Sequence, residues 1–366
     1  MSGDPESVDN PAQAPFVLSR PHGTVRAEGI IRRFTEVDAA IDDLRTGRAD
    51  TVVGALPFDP AGTSALMVPR RLRRDLPPLA GRSPARHTLD RFTEIPDAAT
   101  HRDRVRRAVA AITAGDLDKV VLARTVRAVL DSPAEVTGLL DALAHGNSEH
   151  NAFAVDTGPG WLLGASPELL LRKAGREVTC RPYAGSAPRF PDPVADREAR
   201  EKLAASGKDH REHAFVVDHL RRRLAPLCDE ITIPDAPQLL STGEMWHLAT
   251  PIRAHLTDPD LNALELALAL SPTPAVCGTP TDVAAQFIRD HEEPRGNYAG
   301  AVGWADAHGD GEWMVTIRCL EIDSDGRSFR TWAGGGIVAD SDPDAELAET
   351  TAKLRTVLRA LGVDGS

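Results

Sequence analysis

The last third of the chain holds three strand-like runs, NYAGAVGWADA, EWMVTIRCLEI and SFRTWAGGGIV, with HGDG and DSDG between them. The runs are rich in β-branched and aromatic residues, and both connectors are short glycine-containing hairpin turns. Such spacing commits the strands to antiparallel neighbours, because a parallel partner needs a crossover of about a dozen residues or more. Helical patterns fall elsewhere. They cover 100–114 with Val105, Val109 and Ile112 before a stop at Gly115, a stretch near 133–145, a long one over 195–226 broken near Gly207, ALELALALS, and 283–290. Hairpin-joined strands with helices grouped apart predict an α+β fold rather than a βαβ repeat.

Further strands are expected as a pair around a turn between Val52 and Pro69, in FAVDT, and in WLLGASPELLLR, which Gly164 and Pro167 interrupt. CRPYAGSAPR reads as loop. In the final helix Ser341 and Asp344 resemble a capping box, Pro343 sits in the first turn, and Gly362 follows Leu361. No internal repeat or long linker divides the chain. The expected layout is a polar, proline-bearing leader over 1–15 and a single domain over 16–366.

The N-terminus lacks the basic start and apolar stretch of a signal peptide, and no window approaches 18 unbroken apolar residues. These features predict a cytoplasmic protein away from membranes. Cys180, Cys228, Cys277 and Cys319 lie far apart without a C-x-x-C pair, which suits reduced thiols. The formal charge of −12 argues against nucleic acid as a partner. The one basic run, RRLRR at 70–74, reads as a solvated loop. An acidic chain can still hold a small anion where a metal or local arginines reverse the field.

Several residues could carry chemistry. In DKVVLAR, Lys119 heads four apolar residues, and strand alternation groups it with Val121 and Ala123, opposite Arg124. It could be a strand-end lysine, half of an ion pair, or a base in a pocket. Glu168, in GASPELL, would have a raised pKa and suit a general acid if half-buried, while its position by itself favours an exposed turn carboxylate. Arg318 alternates with apolar residues in MVTIRCL, a placement that often meets a carboxylate. Glu212 shares a helix face with Phe215, Val216 and His219, so it needs a cation, magnesium or arginine. Glu346, Glu349 and Lys353 lie off the Leu347, Leu354, Leu358, Leu361 stripe, so periodicity reads them as a solvated, salt-bridged face. AGGGIV lacks dinucleotide spacing, and its glycines serve either close packing or bare amides for an anion. No histidine cluster supports zinc.

Taken in order, DKVVLAR, GASPELLLR, RPYAGSAPR, KDHREHAFVVD, EMWHLATPI, SPTPAVCGTP, YAGAVGW, EWMVTIRC, AGGGIV and ELAETTAKL resemble the chorismate-utilising enzymes, most closely the isochorismate synthases. The resemblance covers roughly residues 100–361. It implies a large single-domain α+β fold of packed sheets with helices outside, and a buried Mg2+ site. By position, Lys119 matches the general base that activates water for attack at C2 of chorismate, and Glu168 the acid that protonates the departing C4 hydroxyl. Glu212 and Glu349 match metal ligands, with Glu346 close enough to act through a water. Arg318 with the amides of Gly334, Gly335 and Gly336 would hold the enolpyruvyl carboxylate. Gly185, Ser186, His247, Thr250, Ala275, Tyr298 and Lys353 would complete the substrate pocket.

The chemistry asks for these residue types, since moving a hydroxyl from C4 to C2 needs one proton taken from water and another given to the leaving oxygen. Among family members, the ammonia-using anthranilate and aminodeoxychorismate synthases usually carry an uncharged polar residue where Lys119 stands. Lysine therefore favours water and counts against a glutaminase subunit, and with no exposed heptad or long apolar patch in the sequence a monomer is expected. Salicylate synthases, which go on to eliminate pyruvate, tend to carry threonine at the position of Ala275, although EEPRGNYAGAVGW resembles them as much as the isochorismate type. A non-catalytic chorismate-binding protein should have lost the acid, the base or a ligand, and all are present. The expectation is an Mg2+-dependent isochorismate synthase, with salicylate synthase the alternative.

Overall fold

The computed structural model describes residues 14–242 and 245–363, so all but the end of the expected leader lies outside the described residues. A hairpin of β1 (Phe16–Arg20) and β2 (Gly23–Phe34) opens the chain, followed by α1 (Val37–Arg45), β3 (Thr51–Leu56), β4 (Ala65–Leu76) and β5 (Leu89–Ile95). Helix α2 (Ala98–Ala114) leads into β6 (Lys119–Leu130) and α3 (Val136–His145). Five strands then succeed one another: β7 (Ala152–Asp156), β8 (Gly160–Gly164), β9 (Leu169–Ala174), β10 (Glu177–Arg181) and β11 (Tyr183–Pro188). Helices α4 (Pro193–Ala205) and α5 (Gly207–Leu224) precede β12 (Cys228–Thr232), β13 (Gln238–Ser241), β14 (Met245–Ala249) and β15 (Ile252–Leu256). The last part comprises α6 (Ala263–Leu270), β16 (Gly278–Thr279), α7 (Thr281–His291), β17 (Ala301–Asp306), β18 (Gly311–Val315), β19 (Cys319–Asp323), β20 (Ser328–Ile337) and α8 (Pro343–Ala360).

Antiparallel pairing links the strands in the order β12–β15–β10–β9–β18–β17–β3–β4–β2–β1–β7–β8–β19–β20–β6–β5, with β16 against the start of β6. One apolar core joins Val52, Val302 and Met314 of the first half to Phe153, Val155 and Leu162 of the second. A second core sets the alternating partners Ala152, Ala154 and Leu163 against α3 and α8, through Leu139, Leu143, Leu354 and Val357. The strands of the second half are thus covered on both faces. This explains why DKVVLAR reads as an unbroken apolar run. A separate sheet of β11, β14 and β13 carries part of the site.

The α+β reading holds, as do the helices around 100–114, 133–145 and 195–226. Asp97 caps α2 by accepting from the Ala99 and Thr100 amides, and Gly115 ends it at φ 87°. Four local expectations are corrected. CRPYAGSAPR is strand through most of its length, because β11 pairs with β14 in the small sheet. EWMVTIRCLEI is two strands, broken before Cys319 where Arg318 takes φ 52°. RRLRR lies within β4, paired to β2, and Arg74 donates to Asp306 at 2.7 Å. The cap of α8 is Asp342, accepting from the Asp344 and Ala345 amides, while Ser341 turns inward to Glu346. Among the described residues no helix is long and apolar enough to cross a membrane.

Candidate active site

A cavity with about 660 Å³ of atom-free space opens where the small sheet, α5 and α8 meet the ends of β6 and β20. Glu168, Gly185, Ser186, Glu212, His247, Ala275, Tyr298, Arg318, Gly334, Gly336, Glu349 and Lys353 all line it. Lys119 and Glu346 are outside that lining, and Lys119 meets it through Glu212. Gly335 lies in the same glycine run, beside Glu346. Thr250 is outside the lining: its hydroxyl meets His213 Nε2 at 2.7 Å, facing a different pocket.

The first residue of β6 carries Lys119 inward, with 0% of it exposed. Its Nζ lies 3.1 Å from Glu212 Oε1, yet the pair lacks hydrogen-bond alignment. Antiparallel register places Gly336 opposite Val121, directly above this pair. A Cβ on Gly336 would stand 2.1 Å from Glu212 Oε1 and 3.1 Å from Lys119 Cε. Only glycine fits there.

Glu168 follows the bend at Pro167 between β8 and β9, and 2% of it is exposed. Its Oε1 has no hydrogen-bond partner. Burial pushes its pKa up to about 8, against the opposing pull of the Tyr183 backbone amide and the Lys119 and Lys353 charges. The side chain is therefore mostly a neutral acid at pH 7.

Helix α8 presents three groups. Glu346, read from periodicity as solvated, is 1% exposed, because the buried stripe of α8 runs through Glu346, Thr350, Leu354 and Val357. Its Oε1 accepts from Lys208 Nζ at 2.7 Å and from Ser341 Oγ at 2.8 Å, while Oε2 is buried without a partner. Burial, then the neighbouring Glu349 carboxylate, raises its pKa. Burial acts the same way on Glu349, but Lys353 at 2.6 Å and Ser186 Oγ at 2.9 Å outweigh it and hold the carboxylate low. Lys353 also donates to the Gly334 carbonyl at 2.9 Å.

Each of Glu212, Glu346 and Glu349 thus has a lysine beside it. Among the described residues no three potential ligands stand together as a ready metal cluster. The donor chemistry nevertheless fits a hard divalent cation such as Mg2+: all donors are carboxylate oxygens, and one of them, Glu346 Oε2, is an orphaned buried oxygen.

The opposite wall is aromatic. Tyr298 stacks on Trp332 with centroids 5.5 Å apart, and Tyr183 meets His247 edge-on at the same distance. Burial, then the Arg318 and Lys353 charges, holds His247 neutral, and its Nε2 is an unpartnered buried atom. Arg318 Nη1 donates to Thr356 Oγ1 of α8 at 3.2 Å.

Residues 73–362 match the family described as chorismate binding enzyme. The chain belongs to that family. It is 42% identical to the isochorismate synthase DhbC of Bacillus subtilis, over 95% of this chain and 94% of the relative. A crystal structure provisionally assigned as the 2,3-dihydroxybenzoate-specific isochorismate synthase DhbC of Bacillus anthracis superposes with TM-score 0.89 at 37% identity, covering 97% of this chain and 98% of that one. MenF of Escherichia coli, named as the menaquinone-specific isochorismate synthase, superposes with TM-score 0.84 at 26% identity, covering 97% and 92%.

Three residues of this chorismate-binding enzyme escaped the sequence reading: Lys208, Tyr183 and Trp332. Lys208 had a signal, since it lies one helical turn before Glu212 on α5 and so rises on the same face. Trp332 stands two residues ahead of the glycine run on β20, which places it on the face of Gly334 and Gly336. Tyr183 gave no comparable signal, because its segment read as loop.

Proposed function

We propose that this chain is an Mg2+-dependent isochorismate synthase, an isomerase converting chorismate to isochorismate. The observation that carries the reading is Glu168: a carboxyl raised to about 8, in the same cavity as a lysine-paired carboxylate set. An acid poised to protonate a leaving hydroxyl is what the reaction needs at neutral pH.

In this reading Lys119, as the uncharged amine in the substrate complex, removes a proton from a water whose oxygen bonds to C2 as the ring double bond shifts. The C4–O bond breaks, and Glu168 gives its proton to the departing oxygen. One water enters and one leaves, so atoms and charge balance. Bound Mg2+ would offset the ring carboxylate, with Glu212, Glu346 and Glu349 as its oxygen donors. Arg318, Lys353 and the amides of Gly334–Gly336 would hold the side-chain carboxylate. Tyr298 and Trp332 would shield the ring from bulk water. Ala275, in the cavity wall, offers no hydroxyl, which supports product release before pyruvate elimination. The enzyme would act as a monomer in the cytoplasm without a glutaminase.

Purified protein incubated with chorismate and Mg2+, with products separated by chromatography, tests the assignment. Isochorismate as the accumulating product is expected. Salicylate and pyruvate formed at the catalysed rate would reassign the chain to the lyase branch, and dependence on ammonia would reject both.

A further inference from the structure

The segment EEPRG, between α7 and β17, has no part in the chemistry above, yet it holds a buried ion pair. Arg295 Nε donates to Glu292 Oε2 at 2.8 Å and Arg295 Nη2 to Glu292 Oε1 at 3.0 Å, a two-pronged contact out of reach of bulk water. The pair lies along one edge of β6. That edge meets β16 at Lys119 and Val120, and β5 only from Thr125 onward. Between these two, among the described residues, no strand covers it, and buried backbone groups there need other partners. Side chains supply them. The Val121 carbonyl accepts from Arg295 Nη2 at 2.8 Å, and the Ala123 amide donates to Glu292 Oε1 at 2.7 Å.

A strand in this gap would satisfy β6 alone. The guanidinium also reaches the segment before β16, donating from Nη1 to the Val276 carbonyl at 2.7 Å. Its central carbon stands 4.6 Å from the ring centroid of Phe58 and 5.7 Å from that of Tyr298, whose amide donates to the Arg295 carbonyl at 3.2 Å. Val121, Val276 and Tyr298 all line the active-site cavity, whereas Arg295 is outside its lining. One planar group thus ties three parts of the wall together, close along the chain to Lys119 and to Ala275. The single nitrogen of a lysine could not reproduce that fork. We propose that Arg295, oriented by Glu292, is a positioning residue that fixes the Ala275–Val276 wall against the strand carrying Lys119, and so sets where the substrate ring lies relative to its base. This inference rests on the chorismate reading above, in which Lys119 is the base.

Two variants test it, each followed by urea unfolding and by kcat and KM with chorismate and Mg2+. Arg295→Lys keeps a charge beside Glu292 but not the fork. Arg295→Met combined with Glu292→Gln removes both charges together, which avoids a lone buried ion, and keeps an acceptor for the Ala123 amide. Both should unfold cooperatively, and kcat should fall about 100-fold, as for a misplacement of about 1 Å, with KM changed far less. Parental kcat in either folded variant would overturn the proposal. A raised KM with kcat unchanged would make Arg295 a determinant of binding alone and overturn it too. Failure of both variants to fold would do the same, by giving the fork a role in the fold only. A parent protein that leaves chorismate unconverted would instead reject the proposed function, and with it the base that Arg295 serves.

Discussion

The side-chain nitrogen of Lys119, fully buried, stands 3.1 Å from Glu212 Oε1, a carboxylate that faces the cavity. A buried polar group is tolerable only with a partner, so the lysine depends on the glutamate as much as the site depends on the lysine. Removing one member of a buried pair typically destabilises by about 3–5 kcal/mol, with the lower end apt where the partner borders a cavity. Lys119→Met should therefore abolish turnover and lower the unfolding midpoint in urea. Adding Glu212→Gln to it should recover part of the stability and none of the activity. Turnover that survives Lys119→Met would remove the base from the mechanism.

Glu168 gives a pH prediction with a definite sign. Its folded pKa is raised to about 8 from an ordinary 4.5, so the folded state binds the proton that the unfolded state has released between those values. Its contribution to stability is thus fully present below about pH 4.5 and is lost as pH rises towards about 8. Glu168→Gln should abolish turnover and remove this part of the decline in stability, while the parent's kcat should fall above pH 8 as the acid form disappears. Urea titrations from pH 5 to 9 on both proteins decide it: parallel stability profiles would show that Glu168 does not titrate in this window.

The sequence made the antiparallel scaffold legible because hairpin turns and alternation are local signals. It made much of the site legible through short motifs, each of which sits at an element end or bend: Lys119 at the head of β6, Glu168 after Pro167, Gly334–Gly336 in β20. Periodicity failed where burial was decided by a partner far along the chain. Glu346 looked solvated because its apolar neighbours defined a leucine stripe, and only the approach of Gly335 and Lys208 turns that helix face inward. Likewise β11 read as loop, since its edge is made by β14 some sixty residues later.

The carboxylates of α5 and α8 make a metal prediction that does not depend on activity. A ligand that binds only the folded state stabilises it by about 2.7 kcal/mol at a hundredfold excess over Kd. Saturating Mg2+ should accordingly raise the Tm of the substrate-free enzyme by several degrees, and Glu349→Gln or Glu346→Gln should remove most of that rise. An equal rise in the two variants would place the ion elsewhere, and no rise in the parent would reject a metal site formed before substrate binds.

At Gly336 backbone approach can be separated from side-chain chemistry. Gly336→Ala would put a methyl 2.1 Å from Glu212 Oε1, a clash relieved only by moving the carboxylate or β20 itself. Misplacement of a reacting group by about 1 Å can cost roughly 100-fold in rate, so kcat/KM should fall at least that far. Far-UV circular dichroism should stay unchanged. Gly138→Ala, inside α3, meets nothing nearer than Glu135 Cβ at 3.8 Å. It should leave activity intact and stabilise the fold by about 0.4–1 kcal/mol through a less flexible unfolded chain. Comparable activity in the two alanine variants would mean that Glu212 tolerates displacement, and the close glycine contact would then have no part in holding it.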